Sequence, residues 1–301
     1  MTAGRLQLTR RRPWSERIIE GLLFVAAALG VVTTIGIIII LAAQTWAFFQ
    51  IVNPIDFLTG THWSASIQPY TFGVLALVSG TVLVALIAMV IGTPLGLLSA
   101  ILLSEYSSNR VRNVVKPVLE TIAGIPTIVL GFFAINFLSP KILQPLFGVG
   151  LFSALAGGIV VGILVTPLIA SISEDAMRAV PRGLREGAYA MGATKFEVVR
   201  KVVLPAAVSG IMASVILAMS RAVGETMAVV LAGGTQPQLT INPLESVQTM
   251  TAFIVQIVQG ETSQGSVQFL SLFAVAMVLF LMTFVLNLLS AWFVRRYRTA
   301  Y

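Results

Sequence analysis

The sequence predicts an all-α polytopic membrane protein with six transmembrane helices, and three observations carry that prediction. Of 301 residues, 57% are hydrophobic and only 10% are charged, against about 25% charged in an average soluble domain; the mean hydropathy is +0.93. Six stretches, approximately 21–43, 74–103, 118–138, 151–173, 206–232 and 267–294, are long and apolar enough to cross a hydrocarbon core, which takes about 20 residues. The cations fall on alternate loops. With the N-terminus inside, segments 1–17, 104–117, 174–205 and 295–301 hold 5, 3, 6 and 3 Lys/Arg, which is 17 of the 19, as the positive-inside rule requires.

This composition argues against a water-soluble globular enzyme. The excess of 19 basic over 12 acidic residues reads as loop charge at one membrane face rather than as a nucleic-acid footprint. The absence of cysteine excludes disulfides, thiolate metal sites and cysteine nucleophiles, and the single His62 excludes any site needing two imidazoles.

Taken in order, the first helix follows Arg10, Arg11, Arg12 and Arg17, a pattern shared with secretory signals. A signal's apolar region spans only about 7–15 residues and ends at a cleavage site. The run Leu22 to Ala43 is longer, so it reads as a retained anchor. Residues 1–20 then form a cytoplasmic basic N-terminus, and 21–70 the first helix with an external loop. His62 and Trp63 in that loop read as an interfacial anchor. Thr93-Pro94, Ile125-Pro126 and Thr166-Pro167 interrupt the next three spans, since proline removes a backbone bond. Such breaks are tolerated where neighbours or a cavity satisfy the freed carbonyls; ordinary kinked bundle helices carry the same signature. Gly124 and Pro126 are expected to form a kink with a small packing surface, in a span that also holds Glu120. A seventh candidate, Pro243 to Val258, has 16 residues and contains Glu245, Gln248 and Gln256. Counting it as a span would move Arg295, Arg296 and Arg298 outside, so it is assigned as a re-entrant or interfacial helix. Residues 71–301 form the remaining transmembrane domain, with both termini cytoplasmic.

The largest inside loop, 174–205, predicts a helix-turn-helix. Gly183 to Met191 places Leu184, Ala188 and Met191 on one face, and Gly192 sits where a helix C-terminus favours a left-handed residue. Thr194 and Glu197 form a capping-box pattern that starts a second helix. Phe196, Val199 and Val203 are expected to share one side of it, opposite Lys195 and Lys201, with Pro205 closing the loop. The element reads either as an amphipathic surface lying on headgroups or as a docking site for a soluble partner.

Glu186-Gly187-Ala188, then Gly192, then Val202-Val203-Leu204-Pro205 resembles the EAA loop of ABC importer permeases, whose pattern is Glu-Ala-Ala, Gly, Ile-x-Leu-Pro. The sequence departs from it at Gly187 and Val202. The resemblance implies the type I ABC importer (MetI-like) fold and a loop that enters a cleft on an ATPase subunit. It carries the ATPase-coupling role onto Glu186, Ala188, Gly192, Leu204 and Pro205, and it makes the first span peripheral to a core of five.

Arg221 lies about 3 Å along the axis from the midpoint of 206–232, and Glu225 follows one turn later on the same helical face. An ionised group at that depth costs at least about 2.5–3.5 kcal/mol and faces the bundle interior or water. A structural ion pair that fixes packing is one reading; a translocation site is the other. Guanidinium is a planar fork suited to phosphate or carboxylate oxygens. A glutamate one turn away would compete for it and accept a hydrogen bond from a protonated oxyanion, which suits hydrogen phosphate better than sulfate.

The string Arg221-Ala222-Val223-Gly224-Glu225-Thr226-Met227-Ala228-Val229, with Glu105-Tyr106 and Glu120-Thr121-Ile122-Ala123-Gly124-Ile125-Pro126 running on to Gly131-Phe132-Phe133, is similar to the phosphate-specific (Pst) permeases, PstC-type rather than PstA-type at Met227-Ala228-Val229. The resemblance implies a permease subunit of an ATP-driven phosphate importer in a bacterial inner (plasma) membrane. Its implied partners are a PstA-type permease, a PstB-type ATPase dimer and a PstS-type phosphate-binding protein. None of the four lysines follows a glycine, so no phosphate loop is present, and ATP and Mg would be used by the partner ATPase, with no cofactor on this chain. The alternatives are an ABC permease for sulfate, molybdate or phosphonate, and a self-contained channel or secondary transporter. Glu120, Arg221 and Glu225 supply no metal set or evident nucleophile for an intramembrane enzyme.

Overall fold

A computed structural model of the chain describes residues 14–65, 68–260 and 262–297. The basic segment with Arg5, Arg10, Arg11 and Arg12 lies outside the described residues, as does Arg298. Among the described residues, six helices are long and apolar enough to cross a membrane, matching the number expected.

Helix α1 (Trp14–Phe49) carries Glu16, Arg17 and Glu20 in its first two turns and no charge beyond them, and its most hydrophobic window buries nothing within the chain. A helix hydrophobic all round and unburied in its own protein is one that meets lipid. It is attached chiefly at one end, where the Thr45 hydroxyl donates to the Phe273 carbonyl at 3.1 Å. There Phe48 joins a cluster of edge-to-face rings with Phe57, Trp63, Phe72 and Phe253. The short helix α2 (Pro54–Thr59) is started by the Asn53 side chain and Pro54, and a two-residue hairpin pairs Trp63 with Phe72 and Ser64 with Thr71. Trp63 is therefore a core residue of this cap, 5% exposed, and not the interfacial anchor expected; only His62 is exposed.

Helix α3 (Leu75–Ile101) runs straight through Pro94 and ends in a π-helical turn, Leu102–Tyr106. It packs along α7 (Ala154–Arg178), which likewise continues through Pro167. Their contact is made by two glycine pairs four residues apart. A Cβ on Gly92 would lie 2.9 Å from the Gly162 carbonyl oxygen, one on Gly96 would lie 2.7 Å from Ile169, and one on Gly158 would lie 2.4 Å from Ile87. Small residues at this spacing let helices approach closely.

The third expected span, 118–138, is displaced. Helix α4 (Asn109–Ala123) is amphipathic, buries no residue and carries Glu120; the crossing helix is Thr127–Phe147. It comprises α5 (Thr127–Phe133), a π-helical stretch Ala134–Leu143, and α6 (Gln144–Phe147). Between α4 and α5 the chain breaks rather than kinks, because Pro126 is extended (φ −56°, ψ 130°) and lacks the N–H that would continue the ladder. Within this chain a Cβ on Gly124 would meet only its own helix's Thr121 carbonyl, at 3.3 Å.

After α7 come α8 (Arg182–Ala190) and α9 (Lys195–Val198), a π-helical turn Val199–Val203, and α10 (Leu204–Gly224). Pro205 does not close the loop as expected. The π-helical turn before it lets the Leu204 N–H reach the Val199 carbonyl, so the helix passes through the proline without a break. The fifth expected span is also divided: α11 (Met227–Ala232) is separate from α10. A loop then leads to α12 (Met250–Gln259), and α13 (Val267–Tyr297) completes the chain.

The segment 243–258 is held within the chain's own helices rather than lying free on the surface. Val247, Gln248, Thr249 and Met250 are buried, the Glu245 and Pro243 carbonyls accept from Ala154 and Leu155 at 2.8 Å each, and the Thr81 hydroxyl accepts from the Met250 N–H at 3.0 Å. Non-helical backbone at membrane depth is stable only when enclosed by protein in this way.

Candidate functional site

The break between α10 and α11 places the two charged residues differently from a continuous helix. Arg221 is in the last turn of α10, where a cation favours the helix dipole. Glu225 is beyond the helix end in extended conformation (φ −65°, ψ 133°), so the shared helical face expected for the pair does not exist. No ion pair joins them among the described residues. Glu225 instead serves the next helix: its Oε1 accepts from the Ala228 N–H at 3.4 Å, and its carbonyl accepts from the buried Thr251 hydroxyl at 2.9 Å. The Arg221 side chain is exposed and carries no hydrogen bond or ion pair among the described residues. A guanidinium on a membrane helix does not face lipid, so this face of α10 meets a partner chain or water.

The second break, at Gly124 to Pro126, is brought close to the first. Gly131 of α5 packs against α11 so tightly that a Cβ would lie 2.8 Å from Leu231 and 3.3 Å from Ala228. The half-helix that follows each break therefore packs on the other. Ile128, Val129, Phe132 and Phe133 of α5 stay exposed, at 39–52%.

The helix-turn-helix forms as the sequence indicates. Gly192 has φ +82°, and Thr194 and Glu197 make both hydrogen bonds of a capping box. Its apolar faces are arranged differently from expectation. Val199 and Val203 are buried at 3% and 0%, whereas Phe196 is 64% exposed. Ala188 packs inward on the cluster of Met177, Val180, Val198 and Val203, while Leu184, Tyr189 and Met191 point outward, Met191 with 89% exposure. Glu186 and Gly192 are exposed on the same element, and Leu204 and Pro205 lie where its second helix enters α10.

Beside it is a charge cluster that sequence reasoning missed. Glu174 is fully buried and meets Arg112 at 2.7 Å, Lys116 at 2.7 Å and Arg178 at 3.7 Å; Lys116 also reaches Asp175 at 2.7 Å. Hydrogen bonding to Glu174 raises Arg112 above its ordinary value, against the opposing effect of burial. Burial alone would lower Lys116, but its bonds to Asp175 and Glu174 outweigh it and the net shift is upward. A cation raised in this way is charged at neutral pH and loses its contribution only when pH climbs past the lysine range. The available signal was Arg112 and Lys116 four residues apart, with an acidic pair, Glu174-Asp175, in an otherwise basic loop.

A family profile described as "Binding-protein-dependent transport system inner membrane component" matches residues 92–299. The chain belongs to that family. It is 37% identical over 266 residues to the "Probable ABC transporter permease protein YqgH" of Bacillus subtilis, covering 87% of this chain and 85% of the relative. It is 31% identical over 309 residues to the "Phosphate transport system permease protein PstC" of Mesorhizobium japonicum, covering 95% and 92%. Among solved structures, the inward-facing MetNI methionine ABC transporter superposes with a TM-score of 0.55 at 22% identity, over 75% of this chain and 94% of that one. The fold is that of a MetI-like ABC importer permease. As a member of this family the protein is a multi-pass membrane component of an ABC transporter, and the ATPase is a separate subunit.

Proposed function

We propose that the chain is the PstC-type permease subunit of an ATP-driven inorganic phosphate importer. It would form half of the pathway with a PstA-type permease, rest on a PstB-type ATPase dimer that binds ATP and Mg, and receive phosphate from a PstS-type protein. In this reading it is in a bacterial inner membrane with both termini cytoplasmic, and it binds no cofactor of its own.

The observation that carries the reading is Arg221, an exposed guanidinium without a partner among the described residues, at a break in a membrane helix. Desolvating a charge there is costly, and an anion passing between two permeases offsets that cost while a lipid tail does not. The planar fork suits the paired oxygens of phosphate. Glu225 would accept the proton-bearing oxygen through Oε2, because its other oxygen is committed to α11. The phosphate permease relative supports the choice of substrate. The exposed Leu184, Tyr189, Met191 and Phe196, with Glu186, Ala188 and Gly192 between them, suit a docking surface for the ATPase. They form an apolar, mixed-charge patch on a capped and rigid turn.

The test is phosphate uptake by complete complexes in proteoliposomes. Arg221→Ala is expected to assemble with its partners and lose uptake by about 100-fold, as the loss of a charge-assisted bidentate contact of about 3 kcal/mol implies. Arg221→Lys, which keeps charge but not the fork, should recover part of it. Full uptake by Arg221→Ala, or equal uptake of sulfate by the unmutated complex, refutes the reading.

A further inference from the structure

Glu105 and Tyr106 close the π-helical turn at the end of α3, and each receives a cation from a different arm of the helix-turn-helix. Arg185 of α8 brings Nη2 to 3.1 Å from the Glu105 carboxylate and donates through the same atom to the Met177 carbonyl of α7 at 2.7 Å. Lys195, the first residue of α9, places its ammonium 4.9 Å from the centre of the Tyr106 ring, within range of a cation–π contact. Two adjacent residues at the tip of one helix thus hold both arms of the element, one through an ion pair and one through an aromatic face.

We propose that Glu105 and Tyr106 are positioning residues that seat the helix-turn-helix on α3 and turn its displacement into movement of that helix. The inference rests on the proposed docking of this element to an ATPase, and it assigns the point at which that input enters the membrane domain. Besides the Arg185 bond to the Met177 carbonyl, the arms meet their own chain through small apolar contacts, such as Ala188 and Val198 on Met177 and Val180. Such contacts slide easily, whereas a directional ion pair resists both sliding and rotation.

The pair also carries unused capacity. Glu105 Oε1 and Arg185 Nε are both buried without a hydrogen-bond partner, although the two groups touch. A guanidinium and a carboxylate can form two parallel bonds, so this contact is a half-made version of a tighter one. Pressing α8 toward α3 would bring Nε as well as Nη2 onto the carboxylate and turn this loose contact into a bidentate one. A π-helical turn, with its wider and weaker ladder, gives Glu105 the room for that shift.

The test is the ratio of phosphate moved to ATP hydrolysed by complete complexes in proteoliposomes. Glu105→Gln and Tyr106→Leu are each expected to leave ATP hydrolysis running while the ratio falls about 5-fold or more, the lower end of an ordinary coupling energy. The double variant Glu105→Arg with Arg185→Glu should restore at least half of it. An unchanged ratio in both single variants overturns the proposal, as does an assembled double variant whose ratio stays low. If Glu105→Gln does not assemble, Tyr106→Leu decides alone, because that side chain is 47% exposed. Co-purification of the ATPase with the unmutated complex reports on docking separately. If another anion is carried in place of phosphate, the same ratio for that anion still scores the seat.

Discussion

Glu174 has no exposed surface and three cations within 4 Å. Such a carboxylate is held by its partners, and neutralising it leaves Arg112, Lys116 and Arg178 converging with only the exposed Asp175 to offset them. Breaking a buried pair from one side costs about 3–5 kcal/mol, and Arg112 and Lys116 are only a fifth exposed, so hydration recovers little of it. Glu174→Gln is therefore expected to destabilise the chain by about 3 kcal/mol, read as a lower thermal midpoint in detergent, whereas Asp175→Asn, at an exposed position, should change it little. At this scale the sequence was partly legible. Gly192 and the Thr194–Glu197 box could be read directly, because a left-handed turn and a cap are local devices. Glu225 could not. Its role depends on Ala228 and Thr251, and the second of these is distant in the chain.

Among the elements, the α3–α7 contact depends on the absence of side chains. A valine at Gly158 would place its Cβ 2.4 Å from Ile87, which forces the helices apart, whereas a valine at Gly30 in the lipid-facing α1 meets nothing within 4 Å. Overpacking costs about 1–3 kcal/mol, so Gly158→Val should lower the thermal midpoint and Gly30→Val should leave it unchanged. The six membrane helices were readable because composition and length decide them. The two breaks were not equally so. Pro126 announces the first, although its effect was expected to be a bend; the second, at Gly224 to Thr226, has no proline and reads as ordinary helix. The Gly92–Gly96 and Gly158–Gly162 spacings are the signal in the sequence for the close contact of α3 and α7.

For the whole molecule, the proposed reading makes the exposed apolar residues of α5 and Arg221, which has no ion pair among the described residues, half of a passage. The chain reconstituted alone is expected to move no phosphate. Uptake should appear only with a second permease and an ATPase, and vanadate should abolish it; transport by the chain alone would indicate a self-contained channel or carrier. The close contact of α3 and α7 also bears on how such a passage opens. Gly158 and Gly162 of α7 face Ile87 and Ile91 of α3, and Gly96 of α3 faces Ile169 of α7; β-branched side chains seated on glycines have few rotamers to exchange, so sliding of one helix along the other is resisted. In the proposed importer, the two breaks described above, where α5 packs on α11, are then the places left for the rearrangement that admits and releases cargo.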